Sequence, residues 1–271
     1  MALHPTLLKT LNLVTYLLVV ATGVFYREFL QDIYASRPNY LANNELGFIV
    51  PATVWALLGG FVIVQWFDFA HDVVVEAIDW HLFASNLVVI FWVFSWKFDW
   101  LVVSEVLLVI NAILIWRLYI KMRDFTATNI ADYAFVHISF SIYTGLVWFD
   151  VLQNFFTAFT DKEGGPTSWT ALGAAAAIFV MLAIGNYHAE FSKDPDSWAA
   201  ISIALMILSI SFEQGPSVPI IYLVSFISFG CLLGALIRRL VNHIILWRSP
   251  VWRDDEIPTY NNGERSPLIR Q

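Results

Sequence analysis

Charge is what this chain has least of. Of its 271 residues only 14% are Asp, Glu, Lys or Arg, and 58% are hydrophobic. A soluble domain of this size carries roughly 25% charged residues. Cysteine is nearly absent too. Cys231, the single one, sits inside an apolar run, which excludes a disulfide framework and a thiolate metal site. With a net charge of −7 and no basic cluster, the chain offers nothing to nucleic acid. No Ser-His-Asp arrangement, phosphate-cradling glycine loop or HExxH occurs, so no enzymatic activity is expected. Nor do ten-residue stretches of alternating polarity appear, which excludes a membrane β-barrel.

What the chain does have is long apolar stretches. Eight stand out: Leu7–Phe25, Gly47–Trp66, His81–Trp96, Leu101–Ile120, Tyr133–Phe156, Ser168–His188, Ser197–Phe212 and Val218–Leu240. Most approach the roughly 20 residues that span a hydrocarbon core as a helix, the only open-ended element whose backbone is satisfied in lipid. The expectation is an all-α, polytopic membrane bundle over residues 1–245 with about eight spans, the third and seventh being short. The first run lacks a cleavage pattern and is read as a span, not a leader. Residues 246–271 are too polar to fold alone and read as a disordered tail.

Eight spans with both termini in the cytoplasm put Lys9, Arg117, Lys121, Arg123, Lys193, Arg238, Arg239, Arg248, Arg253, Arg265 and Arg270 inside. Arg27, Arg37, Lys97 and Lys162 then lie outside. Eleven against four follows the positive-inside rule. A cytoplasmic tail would also expose Glu264, Leu268 and Ile269, which have the form of an acidic dileucine signal read by a sorting adaptor. That points to an endosomal or vacuolar membrane, with the plasma membrane next.

Between the second and third runs, Asp68, His71, Asp72, Glu76 and Asp79 lie opposite Ala70, Val73, Val74, Ala77 and Ile78. This predicts an amphipathic helix in the interface. A metal ion on His71 and His81 is the alternative to a solvated acidic face, and no ligand spacing supports it.

Polar residues at membrane depth mark interior faces. In the fifth run Ser139, Tyr143, Asp150 and Asn154 fall on one face at spacings of four, seven and four. Asp150 lies about 9 Å, and Glu105 of the fourth run about 6 Å, from the same membrane surface. The two carboxylates are therefore candidates for a shared proton or cation site, against a reading as interfacial packing groups. Asn86, Asn111 and His137 are expected to form interhelical hydrogen bonds, and His188 to be interfacial. Of 12 Trp, seven sit at predicted boundaries as an aromatic belt. Trp55, Trp92 and Trp148 lie deeper, either lining an aromatic pocket or packing in the core.

The order of these features resembles the tryptophan-rich sensory protein group, distant relatives of the TspO/peripheral benzodiazepine receptor family. The match rests on Arg37-Pro38-Asn39-Tyr40-Leu41 and Gly60-Phe61-Val62-Ile63-Val64-Gln65, and on Asn86, Trp92, Trp96 and Ser104. Its most specific block is Phe140-Ser141-Ile142-Tyr143-Thr144-Gly145 followed by Asn154. Departures are Asn43-Asn44-Glu45 for a Pro-Ala-Gly block, Pro51 for a Trp, Leu146 for another Trp, and Asp150 for a small apolar residue. The resemblance implies a site among helices two to five for a flat hydrophobic molecule, a tetrapyrrole, sterol or lipid. Tyr143, Asn154, Asn86, Trp55 and Trp92 would line it and Asp150 would anchor it; no bound cofactor is implied. A proton-linked carrier using Glu105 and Asp150, or a structural subunit of a membrane complex, are the alternatives.

Overall fold

The computed structural model describes residues 4–37, 39–41, 45–159, 167–191 and 197–248. Every regular element among them is helical: α1 (Pro5–Phe25), α2 (Arg27–Ser36), α3 (Glu45–Val64), α4 (His81–Lys97), α5 (Leu101–Met122), α6 (Ile130–Asp132), α7 (Ser139–Phe159), α8 (Ser168–Asn186), α9 (Ser197–Gln214) and α10 (Pro219–Arg248). Seven helices are long and apolar enough to cross a bilayer. Asp68–Ile78 and α4, bent by 65° at the break between them, make an eighth if the pair counts as one span. The chain is a polytopic integral membrane bundle, as its apolar runs predict. The protein forms two units, 1–236 and 237–271; the second contains the end of α10.

The third span is short because α4 has only 17 residues. What precedes it is not a regular interfacial helix but a 3₁₀ turn, Asp68–Ala70, and a π turn, Val73–Ile78. The expected amphipathic division survives this change of pitch: Ala70, Val73, Val74, Ala77 and Ile78 are buried, while Asp68, His71, Asp72 and Glu76 are exposed. The two histidines face different surroundings. His71 is exposed, whereas His81 is buried, stacks on Trp80 and has Nδ1 3.2 Å from the Ile78 carbonyl. α2, within a segment the sequence reading left as a connection, is the other departure.

α7 is the axis of unit 1. It packs against α3, α5, α8 and α9, and 61% of its span is buried against 28% for α1. Its start is fixed locally. Asn129 Oδ1 accepts from the Asp132 amide at 2.9 Å, and Asp132 Oδ2 accepts from the Thr128 amide at 2.9 Å, a reciprocal cap that satisfies first-turn donors. A π segment, Tyr133–Ile138, then feeds into α7.

The most specific block of the resemblance is explained by packing. Phe140 meets Phe61 edge-on at 5.2 Å. Ser141 Oγ accepts from the Ala199 amide near the start of α9 at 3.1 Å. A Cβ on Gly145 would collide with Ser202 Oγ and lie 2.5 Å from the Ala199 carbonyl. Glycine there lets α7 and α9 approach closely enough for Ser202 Oγ to reach the Ile142 carbonyl at 3.2 Å.

Candidate functional site

Polar side chains inside unit 1 pair across helices in successive layers. In the lowest layer, toward the N-terminal end of α1, Asn12 Nδ2 donates to Gln65 Oε1 at 3.3 Å. Gln65 Nε2 donates in turn to the Lys9 carbonyl at 3.0 Å. One to two turns higher, Asn86 Nδ2 donates to Thr15 Oγ1 at 3.1 Å. Beside that pair a ring of three closes: Ser85 Oγ donates to Asn111 Oδ1 at 2.6 Å, Asn111 Nδ2 donates to Tyr143 Oη at 3.3 Å, and Tyr143 Oη lies 3.2 Å from Ser85 Oγ. With the serine proton committed to Asn111, Tyr143 is the donor to Ser85, and each member both gives and receives.

The next layer centres on Asn154. Its Oδ1 accepts from both Trp92 Nε1 at 2.9 Å and Trp96 Nε1 at 3.0 Å, while Nδ2 donates to Glu105 Oε2 at 2.8 Å and Ser104 Oγ at 3.2 Å. An amide has two lone pairs and two protons to offer, and all four are used. Indole can only donate, so the amide's orientation is unambiguous. The uppermost layer ties down the segment before α3. Arg37, 6% exposed, donates to the Ala158 carbonyl at 3.2 Å and pairs with Asp99 at 3.1 Å, its guanidinium 5.7 Å from the Trp96 ring centroid. Asn39 Nδ2 donates to Thr157 Oγ1 at 3.1 Å.

The predicted site residues thus divide. Tyr143, Asn154 and Asn86 are interhelical hydrogen-bond formers, as is Asn111. Glu105 is held by Asn154. Asp150, on the same face of α7, is half-buried and forms no hydrogen bond with Glu105 among the described residues. One histidine differs from expectation: His137 Nε2 is buried without a partner among the described residues. His188 is fully buried within the protein near the end of its span, with Nδ1 3.4 Å from Tyr119 Oη and its ring edge-on to Trp116 and Tyr119. Trp148 belongs to that aromatic group, 6.0 Å from Trp116. Glu264, Leu268 and Ile269 lie outside the described residues.

Trp55 and Trp92 do line a cavity. It has a volume of about 360 Å³ and lies between the Val19–Val24 stretch of α1 and the Val89–Val93 stretch of α4. Trp55 of α3 also borders it, as do Arg27 and Leu30 of α2. Its aromatic walls are held from behind. Trp92 is anchored through Nε1 to Asn154. Trp55 packs its ring 6.2 Å from Tyr143 and 6.4 Å from Tyr16, whose Oη donates to the Trp55 carbonyl at 2.9 Å. A site whose walls are locked by such contacts needs little reorganisation to receive a ligand. The two tryptophans stand out in the sequence as indoles deep in apolar runs, whereas α1 as the opposite wall carries no such signal. Valines facing lipid and valines facing a cavity look alike in sequence.

No curated protein and no solved structure matches the chain. A family model described as TSPO-like protein matches residues 6–238, taking in every layer of the hydrogen-bond ladder and both walls of the cavity. This multi-pass membrane chain belongs to the TSPO-like protein family.

Proposed function

We propose that the protein binds a small hydrophobic molecule of the lipid or sterol type in the cavity between α1 and α4. The observation that carries this reading is the cavity itself, walled by valines and by the anchored rings of Trp55 and Trp92. Ligand pockets run from roughly 300 to 1,000 Å³ and are mostly apolar with a few polar groups. A cavity at the small end of that range favours a slender molecule over a tetrapyrrole macrocycle. Tyr143 and Asn154 serve it indirectly, by fixing the tryptophans. A proton-linked carrier using Glu105 and Asp150 has less support, because Asn154 occupies Glu105.

Titration of indole fluorescence with a sterol, protoporphyrin and a panel of lipids tests the proposal. Saturable quenching by a sterol or lipid is expected, weakened at least tenfold by Gly23→Leu, which fills the cavity. Quenching equal in that variant, or in an unrelated membrane protein, removes the proposal. The endosomal or vacuolar address carried by Glu264, Leu268 and Ile269 is a separate proposal, removed if deleting Leu268 and Ile269 leaves localisation unchanged.

A further inference from the structure

The cavity carries one group that a purely hydrophobic ligand does not need. Arg27 borders it at the end where α1 gives way to α2. Among the described residues the only ion pair is Arg37–Asp99, so Arg27 has no carboxylate partner there. Two further cations at this end of α4 are already engaged: Arg37 by Asp99, and Lys97 by Tyr26, its Nζ lying 5.1 Å from the ring centroid and donating to Oη at 3.3 Å. Below Arg27 the walls are apolar. Val19 and Val24 face Val89 and Val93, with the two indoles bordering the same space. The cavity therefore has a polar end at Arg27 and a largely apolar body, the pattern of an amphiphile.

Gly23, exposed on α1, leaves the same wall without a side chain. It lies in α1 on the cavity wall, and a Cβ built there meets nothing within 4 Å. Neither close packing nor a positive φ calls for glycine at this point. Glycine inside a helix is a weaker helix former than alanine. Its effect here is to leave room.

We infer that the occupant is a single-tailed lipid carboxylate, with its tail between α1 and α4 against Trp55 and Trp92 and its head group on Arg27. This rests on the cavity being the binding site. The charge argues for a monoanion. One guanidinium matches one carboxylate through two parallel hydrogen bonds, whereas a phosphate monoester brings a charge of about −1.5 to −2 toward a position where Glu28 is the next residue and exposed. The space argues for one tail, since a half-open groove of about 360 Å³ matches a single chain lying against the indoles.

The test uses the purified full chain in nanodiscs and two probes with the same tail, 12-bromododecanoate and 12-bromododecanol, whose bromine quenches indole on contact. The carboxylate is expected to bind about tenfold more tightly than the alcohol, the worth of one charge-assisted contact. Arg27→Gln should abolish that preference, bringing the carboxylate to the affinity of the alcohol, while an unfolding midpoint equal to that of the unaltered protein shows that the variant is folded. Gly23→Leu should remove saturable quenching by both probes. Equal affinity for the two probes in the unaltered protein, or a preference that survives Arg27→Gln, overturns the carboxylate inference and leaves the cavity reading standing. Quenching by neither probe that responds to Gly23→Leu overturns both.

Discussion

Trp92 stands between two regions built on opposite terms. On one side the ladder from Asn12 to Arg37 pairs polar groups across helices, and at Asn154 leaves no donor or acceptor spare. On the other, the cavity between α1 and α4 has almost no polar groups and is open enough that Gly23 meets no neighbour. In a bilayer, apolar side chains gain little by leaving lipid for one another, so helix association depends on close packing and interhelical hydrogen bonds. The ladder and the α7–α9 contact at Gly145 therefore carry the fold. The cavity is left free of that duty, and substitutions on the two sides should separate stability from binding.

The largest effect is expected from Asn154→Ala, which strands two indole donors and the Glu105 carboxylate. Stability should fall by on the order of 4 kcal/mol, since each buried group left unpaired costs about 1–3 kcal/mol. Equilibrium unfolding in mixed micelles measures it, and a loss below about 1 kcal/mol would mean that the four bonds do not hold as drawn. Gly145→Val comes next. Its side chain collides with Ser202 and the Ala199 carbonyl, and forcing α7 from α9 should cost about 2–3 kcal/mol, again with ligand affinity read alongside.

Tyr143→Phe sharpens the contrast. It removes two hydrogen bonds but leaves Ser85 and Asn111 bonded to each other, so a loss of about 1 kcal/mol is expected with affinity unchanged. A tenfold loss of affinity would return Tyr143 to the ligand site, where the family resemblance puts it. The smallest effect should come from Gly23→Ala. With space for its Cβ and a better helix former in place, stability should hold or rise by about 0.5 kcal/mol, while affinity falls slightly, on the order of twofold. A stability loss there would show that α1 packs more tightly at this point than the open cavity implies.

An all-helical bundle of long apolar spans was readable because lipid imposes a length and forbids unpaired backbone. The face of α7 was readable because Ser139, Tyr143, Asp150 and Asn154 repeat at helical spacing, and polar groups at that depth turn inward. Their partners were not readable. Which side chain Asn154 meets depends on how α4 and α5 rotate about their axes, and helices apolar all round leave that rotation unmarked. Glu105 was placed at the right depth to meet α7, yet its partner proved to be Asn154 and not Asp150. The positive-inside count assigns Arg37 only a side of the membrane and says nothing of its burial. Its burial comes from partners 62 and 121 residues away, Asp99 and Ala158, which no local pattern signals. The burial of His188 is hidden for a related reason: it lies at the end of an apolar run, and its packing comes from the π turn Tyr187–Phe191 and from rings of other helices.

The saturation of Asn154 has a consequence for how this position can change over time. It serves four neighbours with two donors and two acceptors on an arm one carbon long. Serine offers a single proton, ionised aspartate none, and glutamine puts the same amide one carbon too far. No one-step replacement keeps all four contacts, so a lineage that abandons the asparagine must alter Trp92, Trp96, Ser104 and Glu105 with it. Those five positions should drift together or stay still together.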